Sequence, residues 1–390
     1  MWLLRLRLSG QETAGPVHST GQDEGEERIV LPRRRIIKQQ ETDSRPQSGA
    51  QGTWKVSVSP HVRSSESVEK IMWTVAACLL PPLVLSVFIF GIQVLIITAV
   101  SVVSCVGVEY LSQKSLGRKV TIKDGSAVIT GMLIAFVIPP GVNYLLPVLG
   151  AVMAIYIGKH LLGGIGYNIF NPALLARAFL LATFPVAMTS SWLPPLNDMA
   201  IFSYLGTSID AISTATPLAV LKEGGMVAFT AQFGEVSNVY TTFFLGWRPG
   251  TIGETSGLLI VLGGLYLLYR GYITWHIPVS VITSVALLSW LFGGETLFGG
   301  DPLLAVLTGG ILLGAFFMAN DYVTCPTNKT AQLVYGVGIG ALTVLIRLKG
   351  GYPEGVCYAI LLMNPLSSVF DNWFKPQRFA PPLAPQGGAK

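Results

Sequence analysis

The chain has 390 residues, of which 51% are apolar and only 12% charged, with a mean hydropathy of +0.56. Soluble domains carry roughly 25% charge, so composition excludes an ordinary water-soluble enzyme and points to a membrane protein. Four widely spaced cysteines (Cys78, Cys105, Cys325, Cys357) exclude a disulfide scaffold and form no iron–sulfur pattern.

Residues 1–66 are polar and hold 10 Lys/Arg and 8 Asp/Glu, leaving 16 and 13 for the 324 residues that follow. This segment reads as a disordered cytoplasmic tail. Met1–Gly10 is apolar, but Arg5 and Arg7 break it and no small-residue cleavage site follows, so no signal peptide is expected there. From Ile71 to Val108 no charge occurs, enough for two helices of about 20 residues, the length that crosses a bilayer. Gly91 and Gln93 mark the turn between them. Ten apolar spans follow one another: 71–90, 92–111, 126–138, 144–158, 171–189, 256–269, 275–292, 302–319, 331–346 and 355–371. Several are short, and Pro139-Pro140, Gly163-Gly164 and Gly350-Gly351 interrupt the sequence around them. Broken spans persist in lipid only where protein or a cavity covers the loose backbone. The expectation is an all-α polytopic membrane protein of about ten transmembrane helices. Five lie in 67–189 and five in 256–372, separated by an extramembrane loop at 190–255 and followed by a tail at 373–390.

Basic residues set the orientation. With the N-terminus inside, the inner loops and C-terminal tail hold Lys114, Arg118, Lys119, Lys123, Lys159, Arg270, Lys329, Lys375, Arg378 and Lys390. The outer loops hold Lys222, Arg248, Arg347 and Lys349. Ten against four places both termini in the cytoplasm and the 190–255 loop outside. A weak internal repeat accompanies this count. Asp124-Gly125 leads to Thr130-Gly131, as Asp301-Pro302 leads to Thr308-Gly309; Asn171-Pro172 finds an echo in Asn364-Pro365. Five spans separate the copies, and an odd offset inverts the second copy in the membrane. The net charge of +5 comes with no basic stripe interleaved with aromatics, so no nucleic-acid partner is expected.

The outer loop contains Asp210-Ala211-Ile212-Ser213-Thr214-Ala215-Thr216-Pro217-Leu218. Hydroxyls beside a small residue can bind phosphate oxygens while the backbone comes close. On composition alone the plainer reading is a Ser/Thr-rich turn, with Thr216 capping a helix that starts at Pro217.

The pattern Asp-x-x-Ser-x-Ala-Thr resembles a flavinylation motif whose final Thr carries FMN through a phosphoester. Where that pattern often has Gly, this chain has Thr214, whose Cβ crowds the turn. Four further runs are similar to segments of the same proteins: Pro249-Gly250-Thr251-Ile252-Gly253-Glu254-Thr255-Ser256, Asn171-Pro172-Ala173, Asp321-Tyr322-Val323-Thr324 and Gly350-Gly351-Tyr352-Pro353-Glu354-Gly355. Together these resemble the RnfD/NqrB family over about residues 56–379, and within it the Rnf branch more than the quinone-reductase branch. The resemblance implies covalent FMN at Thr216, framed by Asp210, Ser213, Thr214 and Ala215, and allows a second, noncovalent flavin among the helices. It implies a bacterial cytoplasmic membrane and partner subunits, membrane and soluble, that carry iron–sulfur centres and flavins. It also implies a flavin transferase for maturation. Electrons would pass between ferredoxin and NAD in coupling to Na+ or H+ movement. No P-loop or dinucleotide fingerprint occurs, so NAD binds elsewhere.

Further candidates are read residue by residue. Glu254, with Thr255 and Ser256, either shapes the flavin pocket or caps a helix start. Asp124, Asp301 and Asp321 lie at span ends, as caps or along a cation path. Arg177, inside a span, holds a phosphate or pairs with an acid such as Glu109. No catalytic residue and no metal-ligand set is read. The rival of another class is an inverted-repeat channel or transporter without flavin, in which residues 208–217 are only a turn.

Overall fold

The computed structural model describes residues 66–196, 215–234, 236–294 and 296–375. The expected tail at 1–65, the motif residues Asp210, Ser213 and Thr214, and Arg378 and Lys390 lie outside the described residues. Those described are helical and contain no strand. Helix α1 (Val68–Phe90) starts where Ser67 Oγ accepts the Lys70 N–H at 3.1 Å and stops at Gly91, as the turn residues predict. Helix α2 (Gln93–Ser115) follows at once. Among the described residues, these two and α13 (Lys329–Lys349) are the helices long and apolar enough to cross a membrane. Their outer faces stay apolar, with Val84, Val103 and Leu345 more than half exposed. Such faces suit lipid rather than water.

The remaining spans are shorter or broken. Helix α3 (Ser126–Val137) packs on α2, where Ser101 Oγ donates to Gly131 O at 2.7 Å. Helix α4 (Leu145–Ala151) continues as a π-helical segment, Val152–His160. The single span expected at 171–189 is two helices, α5 (Pro172–Thr183) and α6 (Pro185–Ser190). Pro185 has no N–H to continue the ladder and pushes Phe184 out of helical geometry. The loop expected at 190–255 is not featureless: it contains α7 (Pro217–Phe233) and α8 (Val236–Leu245). Then come α9 (Gly257–Tyr269) and α10 (His276–Phe292).

The expected span 302–319 is the most interrupted. Helix α11 (Pro302–Leu307) ends at an extended Thr308. Gly309 and Gly310 then take φ of +70° and +67°, backbone that side chains disfavour. Helix α12 (Ile311–Leu313) runs into a second π-helical segment, Gly314–Met318. After α13, the last span divides at Asn364-Pro365-Leu366 into α14 (Val356–Met363) and α15 (Ser367–Trp373).

Small residues set the tightest seam, between α10 and α13. Gly336 and Gly340 of α13 face Ser280 and Ser284 of α10, and a methyl at either glycine would strike the serine hydroxyl. Close backbone approach of this kind replaces the hydrophobic drive that lipid cannot supply.

Candidate functional site

Thr216 sits at the start of α7. Its Oγ1 accepts the Ala219 N–H at 3.3 Å and its side chain is buried. The N-cap expected from composition is therefore formed, with Pro217 at the first helical position. Two residues on, Leu218 lies against the helix break: a methyl at Gly309 would stand 3.0 Å from Leu218 Cδ2 and 2.5 Å from Arg347 Nη2. Lys222 Nζ fastens α7 from the other side, donating to Gly350 O at 2.5 Å and Tyr352 O at 3.0 Å.

The break leaves carbonyls of α11 without helical partners. Two arginines supply donors. Arg347 donates to Ala305 O and Thr308 O, both at 2.7 Å. Arg248 donates to Leu307 O at 2.6 Å and to Glu254 O at 2.8 and 3.1 Å, and stacks on Phe243. Both are expected from sequence as exposed outer-loop charges; Arg248 is instead 4% exposed. Nearby, Arg177 pairs with Glu354. Of the two readings of Arg177, the pairing with an acid is seen, but the acid is Glu354 and not the example Glu109. Arg177 lies on α5, which packs on α14, whereas Glu109 lies on α2, which packs on α3 and the first π segment. Glu254 is buried in a short 3-10 turn with its Oε1 unpartnered. Thr255 Oγ1 donates to Ile252 O, and Ser256 Oγ caps α9 by accepting the Leu259 N–H. Their hydroxyls serve the local backbone.

A second polar region lies elsewhere in the helices. Lys159, expected in an inner loop, is buried, with Nζ 2.7 Å from Glu109 Oε1 and 2.7 Å from Ser126 Oγ. Gln113 also donates to Glu109 Oε1, at 3.1 Å, and His160 Nε2 lies 3.7 Å from it. Lys159 and Ser126 line a cavity whose wall includes Thr130, Asn168, Asn171, Phe316, Asn320 and Asp321. Both π segments contribute to it, through Lys159 and Phe316, and π-helical turns recur at functional sites. Asp321 accepts from Val323 N, Thr324 Oγ1 and Asn168 Nδ2. Asp301 caps α11 through Leu303 and Leu304 N–H, both at 3.0 Å, and Asp124 accepts from Ser126 N–H and Oγ. The cap reading holds for Asp301; Asp124 instead binds the first residue of α3, whose N-cap is Gly125.

The two Asn-Pro junctions meet. Asn171 caps α5 through Ala173 and Leu174 N–H and donates to Met318 O at 3.2 Å. The Asn364 amide, turned to satisfy all its neighbours, accepts the Asn171 N–H at 2.9 Å. Sequence reasoning misses Arg248, Arg347, Lys159 and Glu354 as site residues. Glu354 stands within a recognised run, but nothing in a sequence shows that a basic residue counted in a loop faces carbonyls of a broken helix.

The NQR2, RnfD, RnfE family matches residues 55–380. The chain is 47% identical over 326 residues to the D subunit of the proton-translocating ferredoxin:NAD(+) oxidoreductase complex of Clostridium ljungdahlii, covering 83% of this chain and 95% of that protein. It is 41% identical over 323 residues to the D subunit of the Na(+)-translocating ferredoxin:NAD(+) oxidoreductase complex of Acetobacterium woodii, covering 82% and 93%. It is 35% identical over 353 residues to the D subunit of the ion-translocating oxidoreductase complex of Vibrio cholerae, covering 83% and 98%. On these matches, which span most of its length, the chain belongs to the NQR2, RnfD, RnfE family.

Proposed function

We propose that this chain is a membrane subunit of an Rnf-type, ion-translocating ferredoxin:NAD+ oxidoreductase complex, with FMN joined to Thr216 through a phosphoester. The observation that carries the reading is the place of Thr216. The last residue of the flavin motif opens a helix whose first turn packs on Gly309, against which Arg347 also lies. Its hydroxyl accepts the Ala219 N–H in the cap, and an ester oxygen at Oγ1 keeps lone pairs for that contact. The phosphate would then lie at a helix N-terminus, which favours negative charge. Bound FMN supplies the redox chemistry, and the protein supplies its position. The tether holds the cofactor at high effective concentration on a face from which free FMN would diffuse away. Glu254, Thr255, Ser256 and Arg177 act in this reading as walls around the arm, with Asp210, Ser213, Thr214 and Ala215 as its near neighbours in sequence.

The same reading includes ten membrane crossings in two inverted halves, in a bacterial cytoplasmic membrane, with both termini inside and 190–255 outside. Buried Lys159 leaves the inner count, and Arg248 and Arg347, turned onto carbonyls, leave the outer count. Nine loop and tail charges then stand against two, which strengthens the orientation. The contact between Asn171 and Asn364 supports the pairing of the halves. The reading also allows a second, noncovalent flavin among the helices, without assigning its site. Partner subunits bring ferredoxin and NAD chemistry, and a flavin transferase matures the chain. The relatives' names include both proton- and Na(+)-translocating complexes, so either ion suits the family.

The test is a denaturing gel viewed under ultraviolet light after co-expression with a flavin transferase. Fluorescence is expected on the intact band and absent from Thr216→Ala, and the peptide across Thr216 gains the mass of esterified FMN. A dark wild-type band ends the reading and leaves a channel without flavin. Reduction of the membrane flavin by NADH and its reoxidation by quinone, with no reduction by ferredoxin, would instead favour the quinone-reductase B subunit.

A further inference from the structure

We infer that Arg347, backed by Arg248, is a positioning residue that neutralises the phosphodiester on Thr216 and so docks the flavin arm onto the broken end of α11. The inference rests on the reading of Thr216 as the FMN attachment point.

Charge leads to it. Three guanidiniums, Arg177, Arg248 and Arg347, gather with two carboxylates, Glu254 and Glu354, around the break, and Lys222 reaches in from α7 to backbone carbonyls. Arg177 takes Glu354. Among the described residues, no carboxylate lies within ion-pair distance of Arg248 or Arg347. Their partners are backbone carbonyls, which satisfy N–H groups but carry no countercharge. Arg347 Nε is buried without any partner. An enclosed cation held by neutral acceptors is costly until an anion arrives.

Position says which anion. A methyl at Gly309 would meet both Arg347 Nη2 and Leu218 Cδ2, so the two side chains lie against the same glycine, and Leu218 is two residues from Thr216. A phosphodiester at Thr216 Oγ1 is the nearest place where the proposed function puts a negative charge. A guanidinium suits it, because its planar fork matches phosphate oxygens where a lysine offers a point charge.

The experiment compares the full chain in detergent, expressed with and without a flavin transferase, by hydrogen exchange read with mass spectrometry. Flavinylation is expected to slow exchange of peptides covering 303–310 and 343–352 roughly tenfold, the size of one charge-assisted contact. Arg347→Gln should abolish that protection while Thr216 still gains the FMN mass, and Arg347→Lys should keep part of it. Flavinylated protein with unchanged exchange in these peptides overturns the proposal, as does full protection in Arg347→Gln. Equal protection in both wild-type forms would assign the countercharge to a lipid phosphate, and also overturns it. A Thr216 peptide that never gains mass overturns the underlying reading instead. If Arg347→Gln does not accumulate, the wild-type comparison decides alone.

Discussion

Two ion pairs, one buried and one partly buried, hold this protein in different ways. Lys159–Glu109 joins elements within the first run of helices and borders a cavity through Lys159, with side chains 5% and 0% exposed. Arg177–Glu354 joins α5 to the segment before α14, so it ties the early helices to the late ones, at 13% exposure on each side. The first is short of partners: Glu109 Oε2 and both His160 ring nitrogens are unsatisfied. The second sits in an excess of guanidinium. One pair thus adjoins a space that a ligand can fill, and the other adjoins surplus positive charge next to Thr216. A buried pair is weak evidence for stability by itself; what differs here is what each pair leaves unmet.

The largest effect is expected from Lys159→Met. It strands Glu109 in an apolar setting and should cost about 3–5 kcal/mol in thermal unfolding in detergent. Adding Glu109→Leu should return most of that loss. If the double variant is as unstable as the single one, the region is held by shape, not by charge pairing. Glu354→Gln is expected at the lower end of the same range, about 3 kcal/mol, because Arg177 is less enclosed than Glu109. An equal or larger loss there would reverse the order of the two pairs.

Gly340→Ala probes a region with no charge at all. Its methyl meets Ser284 on α10, and overpacking of this kind costs about 1–3 kcal/mol. Ser284→Gly in the same chain should restore stability. Asp301→Ala removes a cap from α11 and should cost about 1 kcal/mol, sharpening how far the half-helix depends on its own ends.

The smallest effect is expected at Glu66, outside the spans. The Tyr272 hydroxyl and then the Lys70 ammonium hold its carboxylate below the usual range. A lowered pKa gives stability that is present above the ordinary carboxylate range and fades as pH falls through the lowered value. Glu66→Gln should therefore differ only slightly from wild type at neutral pH, and the difference should vanish in acid, since exposed pairs contribute little.

Much of the scaffold is legible from local pattern. The uncharged run from Ile71 to Val108 forecasts α1 and α2, and Gly91 forecasts their turn. Pro217 after Thr216 forecasts the start of α7. The Asp-x-x-Ser-x-Ala-Thr run points to the family before any contact is known. Arg177, by contrast, meets an acid other than the one expected, and Lys159, Arg248 and Arg347 leave the loops in which a charge count places them.

Sequence by itself determined what depends on neighbours along the chain: apolar length, helix caps, proline stops and the hydroxyl at position 216. Each follows from hydrogen bonds or sterics reaching no more than a few residues. Tertiary structure alone decided the charge pairing, the meeting of Asn171 with Asn364, and the gathering of Arg248 and Arg347 around carbonyls freed between Ala305 and Thr308. A charge buried among helices takes whichever countercharge or carbonyl the packing brings near, and that choice is made across 59 positions for Arg248 and 177 for Arg177.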